Sequence, residues 1–110
     1  MRGPQTVRPR SIKKGADFRR ILDTGRRRRA GGLLVVRSPG QPDQIHIGLV
    51  AGKRIGNAVQ RNRIRRRLRA AIGDAEVPAG YDYVLIPESE VGEATYSRLV
   101  EWVAAACRLD

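Results

Sequence analysis

The chain has 110 residues, with 22 lysines and arginines against 11 acidic residues, a net charge of +11 and a single cysteine. This length fits one domain with a modest core and leaves no room for a second. One cysteine excludes an intramolecular disulfide and a multi-cysteine zinc site, and no apolar run suggests a signal peptide or a membrane span. We therefore expect a cytoplasmic protein with no membrane partner.

The charge is divided unevenly along the chain. Residues 1–73 have a balance of +17 and residues 74–110 a balance of −6. Such asymmetry gives one side of a folded domain a strong positive field. It favours a directed surface for a polyanion.

The first 25 residues predict an arm followed by a helix. Residues 1–10 contain two prolines, a glycine and three arginines with almost nothing to bury, so we expect a basic flexible arm, and residues 11–110 form a single α/β domain. Phe18, Ile21 and Leu22 have the i, i+3, i+4 spacing of one helix face, and Gly25 suits a left-handed stop.

Two strands are predicted next. Residues 26–29 form an all-arginine linker, and residues 33–36 are an apolar, β-branched run of strand length. Residues 45–51 alternate with the period of two that is typical of a half-buried strand. With a turn at residues 39–43, we expect these two strands to form a hairpin.

A helix, a strand and a final helix complete the prediction. Asn57 and Gln60 have the spacing of a capping box, which indicates a helix that runs to about Ile72 and closes at Gly73. Residues 83–86 form a third strand that ends at Pro87. Thr95 can cap a last helix, whose core spacing is carried by Tyr96, Leu99, Val100, Trp102, Val103 and Cys107. The predicted order is αββαβα.

The most informative segment is residues 53–69, KRIGNAVQRNRIRRRLR, which holds eight cationic side chains and no carboxylate. Arginine pairs with phosphate oxygens through a planar, five-donor fork, so nucleic acid is the leading partner. A solvated helix normally mixes charges of both signs, whereas the absence of any acid here suggests that an external polyanion balances the repulsion.

A helical wheel separates an apolar face from a cationic face in this segment. The apolar face consists of Ile64, Leu68, Ala71 and Ile72, and the cationic face of Asn62, Arg63, Arg65, Arg66 and Arg69. Arg61 projects toward the apolar side, so it lies either in a first turn that overhangs the sheet or along the edge of the core.

These residues closely resemble the signature of the bacterial ribonuclease P protein subunit, the RNR motif at Arg61, Asn62 and Arg63. The resemblance covers roughly residues 11–106. It is supported outside the motif by Ile12-Lys13-Lys14, Asp17-Phe18, Gly25, Ile47-Gly48-Leu49-Val50, Asp82-Tyr83-Val84 and Thr95-Tyr96. It implies an α+β fold, a two-layer α/β sandwich around a mixed four-stranded sheet with a left-handed βαβ crossover (ribosomal protein S5 domain 2-like). The fourth strand is then expected as a short edge near Val77 or Ser89.

The resemblance also implies a function. In that family the protein is the small partner of a catalytic RNA, the ribonuclease P RNA, which uses Mg²⁺ to remove the 5′ leader of precursor tRNA by hydrolysis. The chain then supplies binding without a catalytic residue or a metal site of its own, with one protein per RNA. The residues implied to face the catalytic RNA are Lys53, Arg54, Arg61, Asn62, Arg63, Arg65, Arg66, Arg67 and Arg69.

A cleft for the single-stranded leader is implied around Phe18, and the grip on the leader is expected to lean on Arg19, Arg20 and Arg37. Leu22 and Val36 stand where family members often have aromatic residues, so stacking should be weaker here by on the order of 1–3 kcal/mol per lost platform. Phe18 also suits a plain core position, since it pairs with Leu22 at i, i+4.

Other residue types favour structural roles. His46 alone is weak support for acid–base catalysis, and the loop acids Glu88, Glu90 and Glu93 are expected to serve solvation and not metal binding. Tyr96 and Trp102 are expected in the core, and Cys107 as a small core filler.

Two other functions are open at this point. A metal-dependent nuclease needs convergent carboxylates in the basic half, where only Asp17, Asp23 and Asp43 occur. A ribosomal or DNA-binding protein could place the arginine helix in a groove, but base readout from Asn62 alone would be thin.

Overall fold

In the computed structural model, which describes residues 7–109, a mixed sheet carries helices on both faces. The strands are β1 (Arg10–Ser11), β2 (Arg26–Ala30), β3 (Leu33–Pro39), β4 (Ile45–Leu49) and β5 (Tyr81–Pro87). The helices are α1 (Gly15–Thr24), α2 (Ala58–Ala75) and α3 (Tyr96–Ala106), with 3₁₀ turns at Lys53–Ile55 and Ser89–Gly92. The α+β class and the mixed sheet are confirmed.

The strands lie in the order β1-β4-β5-β3-β2. β4 is parallel to both of its neighbours, β1 and β5, whereas β3 is antiparallel to both of its neighbours, β5 and β2. The helix α2 therefore lies in a βαβ crossover between the adjacent parallel strands β4 and β5. The left-handed sense of that crossover stays a prediction.

The predicted hairpin between the strands at residues 33–36 and 45–51 is wrong. β5 inserts between β3 and β4, so that Val35 faces Leu85, and β3 instead forms its hairpin with β2. The predicted arginine linker is this β2 strand, because backbone pairing with β3 overrides the lack of an apolar alternation. A long-range neighbour in the sheet cannot be inferred from local periodicity.

The sheet has five strands where four were expected, and no strand lies at Val77 or Ser89, the two positions expected for the fourth. Val77 lies buried in the loop after α2, and Ser89 begins a 3₁₀ turn, so neither marks a strand. The extra strands are β1 and β2. Residues 1–6 of the predicted arm lie outside the described residues, while Val7 packs against the core and Arg10 belongs to β1.

The helix ends are partly as predicted. The capping box of α2 is confirmed, since Asn57 Oδ1 accepts from Gln60 N at 2.9 Å and Gln60 Oε1 accepts from Asn57 N at 2.7 Å. The helix continues past Gly73, however, and ends at Ala75, where Glu76 takes the left-handed conformation with φ 59°. Gly25, predicted to be left-handed, has extended backbone with φ −80° and ψ 164°.

The cap of α3 is also as predicted, with the Thr95 hydroxyl accepting from Arg98 N at 3.2 Å. Cys107 and Trp102 contribute to the core, one buried and the other half-buried. Tyr96 does not, because 41% of it is exposed and its hydroxyl lies 2.5 Å from Asp74 Oδ2.

Two hydrophobic clusters hold the layers together. The larger lies between one sheet face and helices α2 and α3, with Tyr83, Leu68 and Leu99 fully buried. The smaller lies on the other face, where Ile21 of α1 packs on Val36 and Val84. Within residues 7–109, none of the helices has the length and apolar character needed to cross a membrane.

Candidate nucleic-acid interface

Helix α2 separates its apolar and cationic sides as the wheel predicts. Ile64, Leu68, Ala71 and Ile72 are buried, and the opposite side of the helix with the preceding 3₁₀ turn is exposed. We call the exposed polar set the arginine face: it consists of Lys53, Arg54, Asn62, Arg63, Arg66 and Arg69. Burial of one side fixes the helix, so the cations of the other side are presented in a defined array.

Two further residues of the motif are held by local hydrogen bonds. Arg65 is half-buried and its Nη1 donates to Asn62 Oδ1 at 3.2 Å. Arg61 is also half-buried, and its Nη1 turns back to donate to the carbonyl oxygen of Gly56 at 3.1 Å. Arg61 thus lies in the first turn of α2, with its guanidinium directed to Gly56.

Arg67 has a structural position that differs from its predicted place on the RNA-facing side. Its Nη1 donates to the carbonyl oxygens of Val91 at 2.8 Å and Gly92 at 3.0 Å, and its Nη2 donates to that of Ala94. The guanidinium therefore anchors the turn before α3 to α2. The sequence carried a signal for this role, because position 67 lies three residues after Ile64 and four before Ala71, on the edge of the apolar stripe.

Arg54, a member of the arginine face, has an acidic neighbour in Glu88. Its Nη2 lies 3.1 Å from both carboxylate oxygens of Glu88, while 70% of the Arg54 side chain is exposed. An exposed pair of this kind contributes little to stability, so Arg54 can exchange Glu88 for another anion at low cost.

A cleft opens beside the arginine face at the β4 side of the sheet. We call it the Phe18 cleft; its volume is about 300 Å³. It is lined by Pro9, Arg10, Ser11, Ile12, Phe18, Ile47, Gly48, Leu49, Arg65, Arg69, Ile72 and Gly73. Aromatic and aliphatic residues therefore share one concavity with three arginines.

The Phe18 ring is positioned by the absence of a side chain at Gly48. A Cβ atom built on Gly48 would lie 2.4 Å from Phe18 Cε1 and 2.6 Å from Phe18 Cζ, closer than van der Waals contact allows. The ring packs directly on the backbone of β4 and stays half-buried. Phe18 thus belongs to the edge of the smaller core and to the cleft at once.

The other residues predicted for the leader cleft are not gathered there. Val36 is fully buried beneath α1, and Leu22 packs half-buried beside it. Arg19 is exposed on α1 but does not line the Phe18 cleft.

Arg37 lies on the opposite face of the sheet from Phe18. It stands 5.2 Å over the Tyr81 ring and donates to the carbonyl oxygen of Arg108 at 3.0 Å. The sequence alone could not give this position, because the face on which each strand residue lies depends on the register with β5. The guanidinium groups of the cleft come instead from Arg10, Arg65 and Arg69.

His46 has an acidic partner that the sequence did not reveal. Its Nδ1 lies 3.1 Å from Asp82 Oδ1, and Arg20 Nη2 donates to Asp82 Oδ2 at 2.8 Å. Arg20 also donates to the buried Ser38 hydroxyl at 3.3 Å. The network ties α1 to strands β3, β4 and β5.

The acids do not form a metal site in the part of the chain that the structure describes. Residues 7–109 contain no group of three or more His, Cys, Asp or Glu side chains that could hold a metal ion. Asp17 lies beside Arg20 at 3.9 Å, and Glu88 pairs with Arg54.

The sequence is similar to a known family and to several known proteins. Residues 7–108 match the Ribonuclease P family. The chain is 39% identical over 105 residues to the ribonuclease P protein component of Paramagnetospirillum magneticum, covering 88% of this chain and 79% of that protein. It is 39% identical over 95 residues to the protein of the same name from Chloroflexus aggregans, covering 84% and 70%.

Solved structures of the same name have the same fold. The Staphylococcus aureus RNase P protein superposes with a TM-score of 0.74 at 25% identity, covering 84% of this chain and 87% of that one. The Thermotoga maritima RNase P protein gives 0.75 at 22% identity, covering 84% and 90%, and supports the fold alone.

Proposed function

Because the chain belongs to the ribonuclease P protein family, we propose that its arginine face binds the catalytic RNA and that its Phe18 cleft holds the leader of precursor tRNA. The chain is the protein subunit of ribonuclease P, the accessory subunit of an endoribonuclease that acts in tRNA 5′ processing. The finer assignment concerns which surface meets which RNA.

The observation that carries the leader assignment is the shared position of Arg65 and Arg69 with Phe18 around one cleft. Proteins that bind single-stranded RNA combine a positively charged groove for the phosphates with an aromatic platform for the bases. Phe18 supplies the platform, and the two arginines of α2 supply the charge on the other wall. The cleft has the required pair of features within about 300 Å³.

The arginine face suits a large, structured RNA. Its cations stand on the solvent-facing side of α2 and on the preceding 3₁₀ turn, and no acid occurs in the sequence from residue 44 to residue 73. Like charges held on one rigid helix repel each other, and phosphates relieve that repulsion while releasing counterions. Arg67 takes no part, because its guanidinium is bonded to backbone carbonyls.

The chemistry is assigned to the RNA partner. We expect Mg²⁺ to be bound through the RNA subunit, where it would supply the activated water for hydrolysis of the phosphodiester. This chain's own residues bind and orient the leader and the catalytic RNA. One protein per RNA is expected, because the arginine face and the cleft both belong to a single chain.

A cytoplasmic location fits the unpaired Cys107. This thiol is buried, with 1% of the residue exposed, and it has no partner for an intramolecular disulfide. A single reduced cysteine is typical of proteins in a reducing compartment.

The decisive experiment measures cleavage of precursor tRNA at low Mg²⁺ by a bacterial ribonuclease P RNA, with and without this protein. We expect cleavage to rise steeply when the protein is added and to be absent with the protein alone. Cleavage by the protein alone, or no effect on the RNA in dilute buffer, would overturn the proposal.

The leader assignment has its own test in the variants Phe18→Leu and Phe18→Tyr. Leucine keeps apolar volume without a ring, whereas tyrosine keeps the ring. Affinity of the assembled holoenzyme is measured for precursor tRNA and for mature tRNA. Phe18→Leu should weaken precursor binding only, and Phe18→Tyr should preserve it. Equal losses for precursor and mature tRNA would count against a leader cleft.

A further inference from the structure

We propose that the exposed edge of β2 is a second RNA-binding surface, which contacts the phosphate backbone of a helical segment of the catalytic RNA. We call this surface the arginine edge; it consists of Arg26, Arg27, Arg28 and Arg29. The identity of its partner rests on the proposed function, whereas the geometry of the surface does not.

The arginine edge lies at the end of the sheet. β2 pairs with β3, and its other side carries no strand within residues 7–109. Register places Arg27 opposite Val36 and Arg29 opposite Leu34, on the face that carries α1. Arg26 and Arg28 point to the other face, where Arg26 is exposed and Arg28 is half-buried, so cations lie on both sides of the edge.

The spacing of these side chains fits a polyanion. Residues two apart on one strand face are separated by roughly 7 Å, which is comparable to the distance between successive phosphates along a nucleic-acid strand. Arg27 Nη2 donates to the carbonyl oxygen of Leu22 at 3.0 Å. That acceptor is neutral, so the bond orients Arg27 without cancelling its charge.

A concavity of about 230 Å³ lies beside the edge. It is lined by Arg26, Arg27, Arg28, Arg37 and Ala106, so four arginine residues border one depression. Arginines this close together favour an anion with several charged oxygens, because each guanidinium group can bind phosphate through paired hydrogen bonds.

The chemistry of the edge favours helical over single-stranded RNA. Single strands are held by aromatic stacking as well as charge, and β2 has the sequence RRRRA with no aromatic residue. Helical RNA is contacted mainly through its phosphates and its shape. The arginine edge offers contacts of this second kind.

The two basic surfaces are well separated. β5 and β3 lie between β4, which lines the Phe18 cleft, and β2. Three interstrand spacings amount to about 14 Å, so a folded RNA would be held at two flanks of the protein. A variant that lacks the cations of one surface should therefore still bind RNA through the other surface.

A purely structural explanation also exists, because charged side chains on an edge strand prevent pairing with a second sheet. That explanation requires only charge near the edge and predicts self-association when the charge is removed. It predicts no change in the salt dependence of RNA binding. The two explanations therefore differ in a measurable quantity.

The test uses the double variant Arg27→Gln with Arg29→Gln and the matched control Arg27→Lys with Arg29→Lys. Binding to ribonuclease P RNA is measured without precursor tRNA over a range of salt concentrations, and size-exclusion chromatography reports self-association. We expect the glutamine variant to lose about tenfold in affinity, with the slope of log K against log salt reduced by about 0.7–0.9 for each lost phosphate contact. The lysine variant should keep most of the affinity and most of the slope.

Unchanged affinity and slope in a monomeric glutamine variant would overturn the proposal, as would self-association alone. A loss that appears only when precursor tRNA is added to the preassembled holoenzyme would overturn the choice of the catalytic RNA as partner. The companion variant Arg63→Ala with Arg66→Ala separates the two proposals. If only Arg63→Ala with Arg66→Ala weakens RNA binding, the arginine edge does not bind the RNA and the arginine face does. If only the glutamine variant weakens RNA binding, the arginine edge binds the RNA and the arginine face does not.

Discussion

Arg67 and Val91 are joined by a hydrogen bond of 2.8 Å from the Arg67 Nη1 atom to the Val91 carbonyl oxygen. The bond links the middle of α2 to the turn before α3, within a run of arginines whose neighbours face solvent. One arginine of the motif therefore serves the fold, while Arg66 beside it is exposed and free to serve binding. This division allows stability and RNA binding to be tested separately.

Replacing Arg67 by methionine should destabilise the protein by about 2–4 kcal/mol, because three carbonyl groups lose a charged donor in a half-buried setting. Arg66→Met at the exposed neighbouring position is the control and should change stability by less than about 0.5 kcal/mol. Urea unfolding gives both free energies. Equal stability of the two variants would show that the bonds of Arg67 contribute nothing.

Replacing Arg63 and Arg66 together by alanine should weaken binding to ribonuclease P RNA while leaving the melting temperature nearly unchanged. Both side chains point to solvent on α2, and surface substitutions of this kind rarely alter stability. The slope of log K against log salt should fall by about 0.7–0.9 per phosphate contact removed. A large drop in melting temperature would refute the solvent-facing assignment.

Local patterns predicted the helices well because the information lies within a few residues. The capping box at Asn57 and Gln60 and the buried position of Leu68 both follow from spacing along α2. The end of α2 was missed because Glu76, and not Gly73, adopts the left-handed conformation. That choice depends on how the following loop packs, which the local sequence does not specify.

The sheet was predicted poorly because strand neighbours are set by contacts between distant residues. Four consecutive arginines lack the apolar alternation of a strand, yet they pair along β3 from Arg26 opposite Arg37 onward. The same register puts Arg37 on the face away from Phe18, so the predicted cleft contained a residue that lies elsewhere. Arg65 and Arg69 line the cleft together with residues of β4, and local patterns do not specify this meeting of distant segments.

Cys107 should be inert toward alkylating reagents in the native protein at neutral pH. Burial raises the pKa of its thiol from the ordinary value of 9.0 to about 12, so the thiolate is scarce and inaccessible. The folded state keeps the proton while the unfolded state loses it, so stability from this group is complete below pH 9 and falls as the pH rises toward 12. Unfolding of the wild type and of Cys107→Ala between pH 8 and pH 10 checks this, and the alanine variant should show the smaller decline.

Replacing Gly48 by alanine should impair the Phe18 cleft without unfolding the protein. The new methyl group would lie 2.4 Å from Phe18 Cε1, so the ring must move away from β4, and we expect a cost of about 1–3 kcal/mol in stability from overpacking at this half-buried site. Binding of precursor tRNA by the assembled holoenzyme should weaken, while binding of mature tRNA should not change.

The double variant Gly48→Ala with Phe18→Leu supplies the control, because the shorter leucine side chain leaves space for the methyl group. If Gly48 acts through the ring, the double variant should bind precursor tRNA no more weakly than Phe18→Leu alone and should recover part of the lost stability. Additive losses in precursor binding would mean that the backbone of β4 contacts the leader directly. In that case Gly48 would act through its own backbone, and not through the position of the Phe18 ring.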